Sequence, residues 1–199
     1  MADAGRVIAG SARGRRLVGP GPGTRPLADR VKQTLFAIVE PDLPGAAVLD
    51  LFAGSGAGGI EALSRGAARA VFVERDAAAA RTIRENLRLT GLADSGVVRT
   101  ADVLAYLAAD ARADGPFDLV LLDPPYADAS ALRGALERLG AAEPGGILAP
   151  AARVVAKHFW RDAPPPIAGL LASERVRRFG ESALTFYRRT GPEPAEEGR

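Results

Sequence analysis

The sequence predicts an α/β fold: a doubly wound, mostly parallel sheet with an antiparallel hairpin near its carboxyl end. Three observations predict it. Short apolar runs alternate with segments of helical periodicity from Ala46 to Ala156. The first of these runs, Ala46 to Phe52, passes directly into the glycine-rich stretch Ala53–Gly59 and then into a helix, an order that turns backbone N–H groups toward a ligand. The run Phe117 to Leu122 ends on Asp123-Pro124-Pro125-Tyr126. Proline lacks an N–H and restricts the residue before it, so the chain must leave the sheet there.

Taken in order, Arg6–Ala9 and Arg16–Val18 read as two short strands around the turn Gly10–Gly14. Pro20–Gly23 is a breaker-rich linker. After Pro26, the spacing of Leu27, Val31, Leu35 and Ile38 predicts an amphipathic helix, closed by Pro41 and Pro44, with Arg25, Asp29, Arg30 and Lys32 at its entry or on its polar side. The first sheet strand then leads through the glycines to a helix carrying Ile60 and Leu63 that stops near Gly66. Val71–Glu74 is the next strand, and Asp76 caps a helix that ends at Gly91. Val97 and Val98 form a third strand leading to Asp102, followed by a short helix from Val103 to about Ala109. The Phe117–Leu122 strand, a helix near Ala131–Leu139, the breakers Pro144–Gly146 and a strand at Arg153–Ala156 follow. Arg175–Phe179 and Leu184–Arg188, flanking Gly180, read as a closing hairpin. The reading divides the chain into a basic hairpin-and-helix extension (1–44), a main α/β domain (45–190) and a disordered tail (191–199).

Composition removes several classes of chemistry. The chain has no cysteine and one histidine, His158, so disulfides, thiolate nucleophiles and Cys or multi-His metal sites are excluded. No apolar run is long enough to span a bilayer and no signal-like core opens the sequence, so the expectation is a cytoplasmic protein with no membrane partner. Charge is uneven. Residues 1–32 carry Arg6, Arg13, Arg15, Arg16, Arg25, Arg30 and Lys32 against Asp3 and Asp29, a local +5 within a net +2. A basic end on a near-neutral body suggests a polyanion such as a nucleic acid, and Arg13, Arg15, Arg16 and Arg30 are the candidate residues to bind it.

The glycine stretch admits two readings. Gly54-Ser55-Gly56-Ala57-Gly58-Gly59 matches G-x-G-x-x-G with Glu74 some twenty residues on, the pattern of a dinucleotide site. Asp50, at the end of the preceding strand, argues against a pyrophosphate, because like charges repel at short range. It suits an ammonium. S-adenosylmethionine has an ammonium, a sulfonium and no phosphate. Glu74 can accept from ribose hydroxyls and Asp102 from an adenine amine, each at a successive strand end. The candidate cofactor-binding set is Asp50, Phe52, Ala53, Gly54, Ser55, Gly56, Glu74, Arg75, Asp102, Val103 and Arg25, which makes the expected fold a Rossmann-like methyltransferase with no metal.

The candidate catalytic residues are Asp123, Pro124, Pro125 and Tyr126. A carboxylate, a carbonyl and a flat ring suit a planar base with an exocyclic amine: two acceptors hold its hydrogens and the ring offers a stack. Such an amine is a poor nucleophile until oriented, and orientation needs neither metal nor covalent intermediate.

Arg25-Pro26, Asp29-Arg30-Val31, Leu35-Phe36, Leu49–Gly56, Glu61–Ala67, Phe72–Glu74, Asn86-Leu87 and Asp123–Tyr126 fall in one order. In this the chain resembles the bacterial small-subunit ribosomal RNA guanine-N2 methyltransferases, from about Arg6 to Arg188. The resemblance implies methylation of a guanine in 16S rRNA within an assembling small subunit; the chain is expected to act as a monomer. The chain departs from the family pattern at Leu27, at Lys32-Gln33 and at Gly58-Gly59. The Asp-Pro-Pro-Tyr box is shared with N6-adenine enzymes acting on RNA or DNA, so that alternative stays open, as does a non-catalytic RNA-binding protein on the same fold.

Overall fold

The structure, a computed structural model, describes residues 2–19, 21, 29–126, 128–141 and 146–191. In chain order the elements are β1 (Ala2–Arg6), β2 (Arg16–Gly19), α1 (Asp29–Val39), β3 (Ala47–Leu51), α2 (Ala57–Ser64), β4 (Arg69–Glu74), α3 (Ala77–Thr90), β5 (Gly96–Thr100), α4 (Val103–Ala109), α5 (Ala111–Asp114), β6 (Phe117–Leu122), α6 (Ala129–Leu139), β7 (Leu148–Phe159), β8 (Ile167–Ala168), β9 (Leu171–Phe179) and β10 (Ser182–Arg189). Eight strands make one sheet in the order β5-β4-β3-β6-β7-β10-β9-β8, and β1 pairs with β2 apart from it. The strands from β5 to β7 are parallel, while β10, β9 and β8 are antiparallel additions. The Rossmann-like fold expected from the alternating pattern is the fold observed.

Side chains of alternate residues fill two cores, one on each face of the sheet. Val48, Phe72, Leu119, Leu121 and Phe186 pack under α1, α2, α3 and the β1–β2 hairpin, while Leu49, Val71, Val120, Leu122 and Tyr187 pack under α4 and α6. The helix ends follow local chemistry. Asp76 accepts from the Ala79 N–H at 2.7 Å, and Gly91, at φ 74°, closes α3 in the left-handed region. Gly59 has a packing role: a Cβ there would lie 2.4 Å from the Phe72 ring, so the glycine that weakens the helix is what lets α2 approach β4.

Several boundaries and surroundings differ from the sequence reading. The first strand is Ala2–Arg6, not Arg6–Ala9, because Ile8 and Ala9 turn away from the hairpin and donate their N–H groups to the buried Glu61 carboxylate at 2.7 and 3.0 Å. The strand expected at Arg153–Ala156 spans twelve residues, since β10 pairs with it as far as Phe159. Lys32, expected on the polar side of α1, is fully buried. The hairpin lies over it, and its ammonium donates to the Arg6 carbonyl at 2.5 Å; burial lowers its pKa. The arginine-rich turn is docked rather than free. Ser11 and Ala12 donate to the Ser64 carbonyl and hydroxyl, at 2.8 and 2.9 Å. Arg13, Arg15 and Arg16 nonetheless stay exposed. Most of the 20–23 linker, the entry to the first long helix including Arg25 and Leu27, most of 144–146 and the tail after Gly191 lie outside the described residues.

Candidate active site

β3 and β6 are neighbours, and the helices that follow them pack on opposite faces of the sheet. The crevice beyond their carboxyl ends is where such sheets take ligands. A cavity of about 860 Å³ opens there, lined by Asp50, Phe52–Ser55, Glu74, Arg75, Val103, Asp123–Tyr126 and Lys157 among others. That volume accommodates a nucleoside-sized ligand with room beside it.

The loop between β3 and α2 is shaped by backbone conformations few residues accept. Gly54 and Gly56 have φ of 55° and 77°, and Phe52, at 59°, is the one non-glycine with positive φ among the described residues. A large side chain held there typically costs about 1–3 kcal/mol, and the bonds around it hold it. Ala53 N–H reaches the Val73 carbonyl at 3.1 Å, and Gly54 N–H reaches Glu74 Oε2 at 2.9 Å. Asn86 ties the loop to the hairpin, donating to the Ser55 and Val18 carbonyls at 2.9 and 2.8 Å.

Three acids on this rim have distinct surroundings. Asp50 is buried, and its Oδ2 accepts from the Gly59 N–H at 2.8 Å. Burial pushes its pKa up to about 7, the Gly59 bond opposes that shift, and the charges of Asp123 and Glu74 add to it. Glu74 accepts from Gly54 and Asp76 N–H groups, one on each oxygen, which leaves a lone pair on each for another donor. Asp102 caps α4 by accepting from Leu104 and Ala105 at 2.9 and 3.1 Å, and Val103 rather than Asp102 lines the cavity. Both cap bonds fall on Oδ1, so Asp102 keeps Oδ2 for a further donor at the strand end where the sequence places an acceptor for a base amine.

At the other end of the cavity, β6 stops at Leu122 and Asp123 N–H bonds the Leu51 carbonyl at 3.3 Å. The Asp128 N–H bonds the Pro125 carbonyl at 2.9 Å, and among the described residues the Pro124 carbonyl has no donor. Tyr126, partly exposed, shares a hydrogen bond with Ser182, and its ring lies 6.2 Å from that of Phe159. Lys157, absent from the sequence candidates, donates to Asp123 Oδ1 at 2.5 Å and lies 5.2 Å from the Tyr126 ring. The parallel register explains the pairing: Leu122 lies opposite Ala156, so the next residues, Asp123 and Lys157, emerge side by side. A signal was present. Lys157 is one of two lysines in an arginine-rich chain and interrupts an apolar strand.

Of the basic candidates, Arg30 is exposed on α1 beside the cavity residue Val31. Arg13 and Arg15 sit at the turn docked on Ser64, the carboxyl end of α2, whereas the cavity faces its amino end. At 1.5 Å per residue they lie roughly 10 Å or more from the glycine loop along that helix. Among the described residues no cluster of three or more His, Asp or Glu is placed to hold a metal ion, and no helix is long and apolar enough to cross a membrane.

Known proteins share this arrangement of sequence and fold. The family model described as conserved hypothetical protein 95 matches residues 5–188. A Bacillus subtilis protein named "Putative rRNA methyltransferase YlbH" is 36% identical over 189 residues, 94% of this chain and 100% of its own length. The Escherichia coli protein named ribosomal RNA small subunit methyltransferase D is 36% identical over 186 residues, covering 92% of this chain and 89% of its own. A solved Escherichia coli structure, "Putative methyltransferase yhhF", superposes with a TM-score of 0.80 at 34% identity, over 93% of this chain and 97% of that one. The chain belongs to the conserved hypothetical protein 95 family, with the small-subunit ribosomal RNA methyltransferase D proteins among its relatives.

Proposed function

We propose that the protein transfers a methyl group from S-adenosylmethionine to the exocyclic N2 of a guanine in 16S rRNA, acting as a monomer on an assembling small subunit. The observation that carries this reading is the placement of Asp123, Lys157 and Tyr126 at one end of a cavity whose other end holds Asp50 and Glu74. The relatives named as rRNA methyltransferases support the reaction class and the RNA substrate.

The residues fit such a cofactor. Asp50 is a buried carboxylate whose charge is disfavoured by its surroundings, so an ammonium beside it would relieve that cost. Glu74 keeps acceptor capacity for a pair of hydroxyls. Phe52, Val103 and Ala79 supply apolar wall for a purine. When bound, S-adenosylmethionine supplies an electrophilic methyl on a sulfonium.

The chain's own part is orientation. Lys157 holds Asp123 through Oδ1, which leaves Oδ2 for one hydrogen of the base amine and the Pro124 carbonyl for the other. Held so, the nitrogen lone pair turns out of conjugation and toward the methyl group. The amine loses a proton as its N–C bond forms, and Asp123 is the acceptor at hand. Tyr126 replaces the stack the base gave up. Residues 1–44 serve as an RNA-facing extension, with Arg13, Arg15 and Arg30 exposed to meet phosphates and Arg16 exposed in a surface ion pair with Asp3 that a phosphate could replace.

The test is incubation of small-subunit particles and naked RNA with labelled cofactor, followed by nucleoside analysis. Methyl on guanine N2 is expected; methyl on adenine N6, or none on RNA, overturns the assignment. Asp123→Ala should keep cofactor affinity while cutting turnover about a hundredfold or more.

A further inference from the structure

The C-terminal hairpin carries a basic face that the reaction described above does not use. β9 pairs with β10 on one side, but on the other β8 and Pro166 engage only Leu171, Ala172 and Ser173, so among the described residues the edge from Glu174 onward is open. Arg175 and Arg177 are exposed on this stretch and neither forms an ion pair among the described residues. Nearby acids are few. Glu174 is already engaged by Arg153 and Arg188, and Glu181 stands at the hairpin turn.

The strand register gives these arginines a direction. Arg177 lies opposite Leu184, which lies opposite Lys157; Arg175 lies opposite Phe186, which lies opposite Val155. Residues paired directly across strands point to the same face. Leu184, Lys157 and Val155 line the cavity, so Arg177 and Arg175 project on the cavity side. With neighbouring strands about 4.8 Å apart, Arg177 stands roughly 10 Å from Lys157 and, one strand further, roughly 14 Å from Asp123. The next row is aromatic. Phe159 and Phe179 flank Ser182, the partner of Tyr126. Phe159 and Phe179 are half-buried and Tyr126 is exposed, and guanidiniums beside accessible aromatic surface suit a single-stranded nucleic acid, with phosphates meeting charge and bases meeting rings.

We propose that Arg175 and Arg177 form a phosphate track for the RNA strand that flanks the base presented to Asp123. The inference rests on the RNA reading above and adds a second binding surface, adjacent to the catalytic box, to the remote N-terminal arginines. Charges on an open edge strand also discourage sheet-to-sheet pairing, but that role alone would leave RNA affinity unchanged.

The test is the double variant Arg175→Ala/Arg177→Ala in the full chain, with Arg175→Lys/Arg177→Lys as the charge-retaining control. Binding to a labelled single-stranded oligouridylate is followed against salt, alongside methyl transfer to small-subunit RNA and thermal unfolding. The alanine variant should unfold as the wild type does. Its oligouridylate affinity should fall about tenfold or more, and its log–log salt slope should drop by about 1.4, at about 0.7 for each single-strand phosphate that an arginine no longer neutralises. KM for RNA should rise with turnover little changed, and the lysine variant should recover most of the salt slope. Unchanged affinity and slope in the alanine variant overturn the proposal. A wild type that binds oligouridylate through these arginines yet methylates no RNA would overturn the functional reading and leave the track standing.

Discussion

Asp50 offers a test in which the sign and the size both follow from its surroundings. Its carboxyl is buried and its pKa stands at about 7 against an ordinary 3.8. A folded-state pKa raised above the unfolded value means the native state holds its proton more tightly. The stability associated with the protonated form is then present below about pH 4 and lost as pH rises toward 7. A shift of about three units corresponds to a cost on the order of 4 kcal/mol above pH 7. Asp50→Asn keeps an acceptor for the Gly59 N–H and removes the charge, so the ligand-free variant should unfold at a higher temperature than wild type at pH 8. That advantage should vanish toward pH 4. An ammonium-bearing ligand needs the ionised carboxyl. Between pH 5 and pH 7 the ionised fraction rises from about one in a hundred to about half. The Kd for S-adenosylmethionine, measured by isothermal titration, should therefore tighten about fiftyfold in the wild type and stay flat in Asp50→Asn. A wild-type Kd that does not change across that range, or an Asn variant that binds as tightly at pH 7, refutes the reasoning.

Other predictions follow from specific contacts. Lys157→Met removes the cation that fixes Asp123; turnover should fall about tenfold or more with cofactor affinity unchanged, and a wild-type rate would show the pair to be incidental. Glu61→Gln removes the buried carboxylate beside Arg65, which keeps its contact with Glu40, and weakens the anchor of Ile8 and Ala9; denaturant unfolding should show a loss of about 1–3 kcal/mol, the usual scale for weakened buried hydrogen bonds to a charged group. Gly59→Ala drives a methyl into Phe72, and a clear drop in the unfolding midpoint is expected. Replacing Arg13, Arg15 and Arg16 with alanine should barely alter stability, since exposed charges contribute little. RNA binding should weaken and its salt slope fall by up to about 2; an unchanged slope would remove these residues from the RNA surface.

The fold class was legible in the sequence because its determinants are local. Continuous apolar runs ending in Gly54–Gly59 or Pro124–Pro125 can only be buried strands that stop at one sheet edge. Asp76 and Gly91 marked the ends of α3 for equally local reasons of capping and positive φ. Those patterns also placed Asp50, Glu74 and Asp123 on a common rim, which is where the cavity opens. What tertiary structure alone decided involves partners distant in sequence. Lys157 meets Asp123 across a parallel register thirty-four residues away. Lys32 is buried because a hairpin folds over it, and the arginine turn is docked because Ser64 stands beneath it. Arg177 faces the cavity only through two successive strand pairings. Periodicity and turn chemistry are written residue by residue, whereas register is settled when all strands and their covering helices pack at once, and a shift of one residue in its strand would turn Lys157 or Arg177 to the other face.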